Sequence, residues 1–103
     1  MTFVAIAQHT TAQCPGHNKE VYDTFSEMMP KLPAIGEQHG VKILGIHLLL
    51  SRHKTVIILE AASYEGVEQM LLEAGLLGWN TVDIAQAHPP EEVLKNSPIA
   101  KAG

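Results

Sequence analysis

Two apolar runs joined by a short polar tip constrain this chain more than any other feature. Residues 41–50 (Val-Lys-Ile-Leu-Gly-Ile-His-Leu-Leu-Leu) and 55–61 (Thr-Val-Ile-Ile-Leu-Glu-Ala) read as strands. Ser51-Arg52-His53-Lys54 between them has hairpin length. Both runs are apolar on both parities, so both faces of the sheet they build are apolar. Two helices can cover only one such face. A large apolar patch left in water is rare in monomers, so the second face predicts a homodimer or a higher homo-oligomer.

The rest of the chain supplies the missing elements. Residues 2–9 are a short apolar strand, and the loop 10–17 (Thr-Thr-Ala-Gln-Cys-Pro-Gly-His) is broken by Pro15 and Gly16. Asn18 is a candidate N-cap. Val21, Phe25, Met28, Leu32 and Ile35 then form one stripe on a helical period, with a kink expected at Pro30 and Pro33. Gly40 ends that segment. Ser63 caps a second helix with Glu65 in its first turn, and Val67, Met70, Leu71 and Ala74 form its apolar face. Gly75 and Gly78 bracket its end. Asn80 to His88 is a fourth strand, stopped by Pro89-Pro90. Residues 91–95 add a helical turn. The expectation is one domain over 1–95 and a mobile C-terminal tail over 96–103.

Composition narrows the partners. The formal net charge is −4 and the seven Lys and Arg form no stripe, which argues against nucleic acid. No apolar stretch reaches the ~18 residues of a membrane span. The N-terminal run has no basic segment ahead of it and no cleavage site after it, so it reads as a strand and not as a signal peptide. The one cysteine, Cys14, cannot form an intrachain disulfide, and a reducing cytoplasm is the expected setting. Glycine-rich phosphate loops, dinucleotide fingerprints and Ser/His/Asp patterns are missing, which argues against NAD, ATP and serine-hydrolase chemistry.

The element order β-α-β-β-α-β, with the Glu60-Ala61-Ala62-Ser63-Tyr64 step into the second helix, resembles the dimeric α/β-barrel superfamily. The likeness covers roughly residues 1–89. It implies an α+β, ferredoxin-like domain: a four-stranded antiparallel sheet, two helices on one face, and a dimer through the other. That superfamily includes cofactor-free monooxygenases, isomerases, haem enzymes and small-molecule binding modules, so it does not select a chemistry.

The expected strand order gathers polar residues at the sheet's two ends. His9, Cys14, His17, Arg52, His53 and Trp79 fall at one, and His39, Glu60, Tyr64 and His88 at the other. Cys14-Pro15-Gly16-His17 has a spacing at which a thiolate and an imidazole can bind one ion. His9 and His53 would complete a tetrahedral set suited to zinc, copper or iron, including haem iron. Cys14 also precedes a helix N-terminus with His17 close by, a position that favours a nucleophilic thiolate. His47 lies mid-strand with the parity of His53. It is a candidate general base in the cleft between sheet and helices, with Gly45 a candidate bulge that would change its facing. Glu60 is solvated or caps the next helix, or it holds a carboxyl with raised proton affinity. Arg52 is a candidate grip for an anionic ligand, and Trp79 a core or dimer-interface anchor or a ligand-stacking group.

Three functions follow as expectations. The first is a small metal-binding protein or metalloenzyme built on His9, Cys14, His17 and His53. The second is a cofactor-free monooxygenase or isomerase using His47. The third is a non-catalytic module that binds a small molecule or assembles.

Overall fold

In the computed structural model, which describes residues 1–102, the chain is α+β with a four-stranded antiparallel sheet, compatible with a ferredoxin-like arrangement. The strands are β1 (Thr2–Gln8), β2 (Val41–Leu49), β3 (Lys54–Ala61) and β4 (Thr81–Ala87). They lie in the order β2-β3-β1-β4. Helix α1 (Lys19–Met28) is capped by Asn18, whose Oδ1 accepts from Val21 N at 3.1 Å. At Pro30 the helix tightens into a 3₁₀ turn over Met29–Lys31, and α2 (Leu32–Gln38) follows, so the kink expected from the two prolines is a break between helices. Helix α3 (Tyr64–Glu73) starts at Ser63, whose Oγ accepts from Gly66 N at 3.1 Å.

Helices α4 (Pro90–Asn96) and α5 (Pro98–Ala102) follow β4, so part of the expected tail is helical; its last residue, Gly103, lies outside the described residues. They leave Val93, Leu94 and Ile99 exposed. Among the described residues no helix is long and apolar enough to cross a membrane.

Period-two burial decides which sheet face carries the core. Phe3, Ala5 and Ala7 of β1 and Ile57, Leu59 and Ala61 of β3 are buried. All of them except Ala7 share one cluster with Met28, Leu32, Val67, Met70 and Leu71 from the helices. The alternate residues form an open face that carries Val4, Ile6, Val56 and Ile58. Ile6 there is 38% exposed.

Strand β2 breaks the alternation. Ile43 opposes Leu59, yet Gly45 already opposes Ile58, so Leu44 is an inserted bulge residue. Beyond it the parity flips. Ile46 and Leu48 now share the helix-facing side, while His47 opposes Val56 on the open face.

Close backbone approach explains one glycine. A Cβ added to Gly66 would lie 2.6 Å from the carbonyl oxygen of His39. Gly→Ala inside a helix ordinarily stabilises by about 0.5–1 kcal/mol. Here a fixed backbone atom opposes that gain, and Gly66→Ala should lower the urea midpoint instead. Leu59→Ala, at a fully buried site, should cost about 2–5 kcal/mol in the same assay. A raised midpoint for Gly66→Ala would show that α3 can move away from His39 without cost.

Candidate metal centre

The register of the central strands positions the site. Gln8 opposes Lys54 in the last ladder step of β1 and β3, and His9 N donates to His53 O at 3.1 Å just beyond it. His53 follows a 3₁₀ turn over Leu50–Arg52 and takes a left-handed conformation, φ 53° and ψ 41°, which starts β3 at Lys54. The two imidazoles meet edge to face, with ring centroids 5.4 Å apart.

Cys14 reaches the same place from the loop. A 3₁₀ turn over Thr11–Gln13 ends in a Cys14 N–H bond to Thr11 O at 3.2 Å. The Cys14 carbonyl accepts from His17 N at 3.0 Å and Asn18 N at 2.8 Å, and Asn18 Nδ2 donates to Ala12 O at 3.1 Å. The cap of α1 therefore also fastens the cysteine loop.

Together His9, Cys14 and His53 offer one nitrogen, sulfur and nitrogen atom that all lie within 4.8 Å of one another. Both ring nitrogens of His9 and Nδ1 of His53 are shielded from water and have no hydrogen-bond partner in the protein. Leaving such a group unpaired costs about 1–3 kcal/mol, so buried polar atoms without partners are rare. Burial lowers the proton affinity of His9 below its ordinary value. The nearby Asn80 side chain offsets part of that, and the charge of His53 adds to the lowering. Behind His9 stands Trp79, 5.6 Å away between ring centroids, itself packed edge to face on Phe25 at 5.7 Å.

A cavity of about 260 Å³ opens beside the three donors. Its other walls include Pro15, Tyr22, Phe25, Leu48, Leu49 and Leu50, and Lys54 also lines it. Mostly apolar surface thus surrounds three potential metal ligands.

The remaining sequence candidates fall elsewhere. His17 is exposed and does not join the three-donor cluster. Arg52 is exposed in its turn, and Lys54 rather than Arg52 borders the cavity. Trp79 supports His9 from behind and is not among the cavity walls. The bulge sends His47 to the open face, away from the sheet–helix cleft in which the sequence reading set it as a base. At the far end of the sheet, Glu60 accepts from the Met1 ammonium at 2.7 Å and from Thr2 Oγ1 at 3.0 Å. Those bonds, the ammonium first, pull its carboxyl below the ordinary range, opposite to the raised affinity considered from the sequence. His39 pairs with Glu73 at 3.0 Å and His88 with Glu92 at 3.3 Å.

Sequence reasoning missed Asn80. Its Nδ2 donates to Leu76 O at 3.1 Å, which fixes the amide, and its Oδ1 is buried without a partner. An acceptor next to a ligating imidazole is the usual device for choosing which ring nitrogen faces an ion. The only sequence signal was its place at the start of the fourth strand, at the same end of the sheet. Compared with known protein families and with curated proteins, the chain matches none.

Acid should weaken the fold through His9. Between its lowered native value and the ordinary value near 6.5, the unfolded chain binds the extra proton and the native chain does not. Stability therefore rises with pH across that window and declines as pH falls through it. An NMR titration should give a His9 midpoint below 6.5, and His9→Asn should remove this component of acid sensitivity. A midpoint at or above the ordinary value would contradict the burial argument.

Proposed function

We propose that this chain is a small metal-binding protein that holds one zinc or copper ion through His9, Cys14 and His53. The observation that carries the reading is the coincidence of three soft or borderline donors within 4.8 Å with imidazole nitrogens of His9 and His53 that are withdrawn from water. A thiolate with two imidazoles is a donor set of both zinc and copper proteins. An ion about 2.0–2.3 Å from each donor holds tetrahedral ligands roughly 3.5 Å apart, so the side chains close in by about 1 Å on binding. The cavity lies below the ~300–1,000 Å³ typical of sites for larger ligands, which favours a single ion over a haem.

The same proposal includes a ferredoxin-like homodimer that closes a dimeric α/β barrel. Its support is the apolar open face of Val4, Ile6, Val56 and Ile58, continued by Leu44 at 53% exposure. A reducing, cytoplasmic setting would keep Cys14 available as a thiolate ligand.

Zinc or copper loading followed by dialysis should leave one ion per chain by elemental mass spectrometry. Cys14→Ser and His9→Ala should each lose more than the ~10–100-fold in affinity typical of an outer-shell change, Asn80→Ala should fall within that range, and His17→Ala should bind normally. Retained metal near zero, or equal loss in His17→Ala, would refute the site. Light scattering should give twice the 11.2 kDa chain mass, and Ile58→Glu should shift it toward one chain. A wild-type monomer at micromolar concentration would refute the dimer.

A further inference from the structure

The walls around the donors describe what a bound ion would meet. We infer that the cavity takes a small apolar molecule with one anionic head, a carboxylate or a thiolate, which fills the fourth coordination position. This rests on the metal reading above and names the ligand class of that same site.

Three observations carry it. The protein brings three donors together, and His17, the fourth expected from the sequence, stands outside the cluster. A tetrahedral ion would therefore keep one position free, as catalytic zinc sites do. The donors border a cavity whose remaining surface is mostly apolar, with Phe25, Leu48, Leu49 and Leu50 facing the space. Bulk water fits such walls poorly, whereas an alkyl or aryl group gains from leaving water. Charge selects the head. A divalent ion on one thiolate and two neutral imidazoles keeps a single positive charge. A neutral head would leave that charge uncompensated in an apolar setting, while an anion pairs with it.

The wall also predicts how selectivity grows. Each methylene moved from water into the cavity should raise affinity about fourfold until about 260 Å³ is filled. Acetate should bind weakly, butanoate better and hexanoate better still. The matching alcohols, with the same apolar body and no charge, should bind far more weakly than the acids. Butanethiol against butanoate distinguishes the two anionic heads.

The test uses the full chain loaded with cobalt(II), whose visible bands report the number and type of ligands around the ion. Bands of a thiolate-bound tetrahedral site should appear first. Titration with the carboxylates and thiols should then shift them, with a dissociation constant that falls stepwise with chain length. Leu48→Asn, at a half-exposed wall position, should keep the cobalt spectrum and flatten the chain-length dependence. Cobalt bound normally but bands unmoved by any acid or thiol would overturn the inference and leave the metal reading intact. Binding with no dependence on chain length, or equal binding of alcohols and acids, would also overturn it. Failure to take up cobalt, zinc or copper at all would remove both.

Discussion

The pairing register of β1 with β3 is the constraint on which everything else rests. Thr2 opposite Glu60 at one end fixes Gln8 opposite Lys54 at the other, and hence sets His9 beside His53. A slip of one residue would turn Phe3, Ala5 and Ala7 away from the helices, so the core forbids it. The geometry of the histidine pair is thus enforced by burial some distance away. The small side chain of Ala5 leaves room for helical residues to pack on β1.

The polar end of the sheet would be unfavourable if it did nothing. Three imidazole nitrogens and an amide oxygen are withdrawn from water there, next to a free thiol. Structures normally pair such atoms. Trp79 packs on His9, and Phe25 packs in turn on Trp79. A bound cation would convert this unfavourable group into a satisfied one, and Asn80 would orient the ring that it neighbours.

How far this could be read from the sequence varied with the range of the interaction. Strands, caps and the proline break depended on local chemistry. Asn18, Ser63, Pro30 and Pro33 act within a few residues of their own position, and each does what its side chain dictates. The meeting of His9, Cys14 and His53 was legible because topology alone brings their segments together. His17 is exposed and stands outside the cluster, a placement that its spacing from Cys14 does not encode. The facing of His47 turned on a single inserted residue, since Leu44 shifts every later side chain of β2 to the other face. The Asn80 oxygen and the apolar cavity walls depend on three-dimensional packing and have no signature in one sequence.

His53 is the one residue other than glycine with positive φ among those described. Glycine adopts this conformation freely, whereas an L side chain there costs on the order of 1 kcal/mol. A sequence shaped only for stability would place glycine at this corner and lose an imidazole. The chain carries the more costly residue where a side chain reaches Cys14 and His9. The hairpin corner is therefore a position at which thermal robustness and ligand capacity trade against each other. Consensus-style stabilisation of this protein would be expected to erase that capacity first.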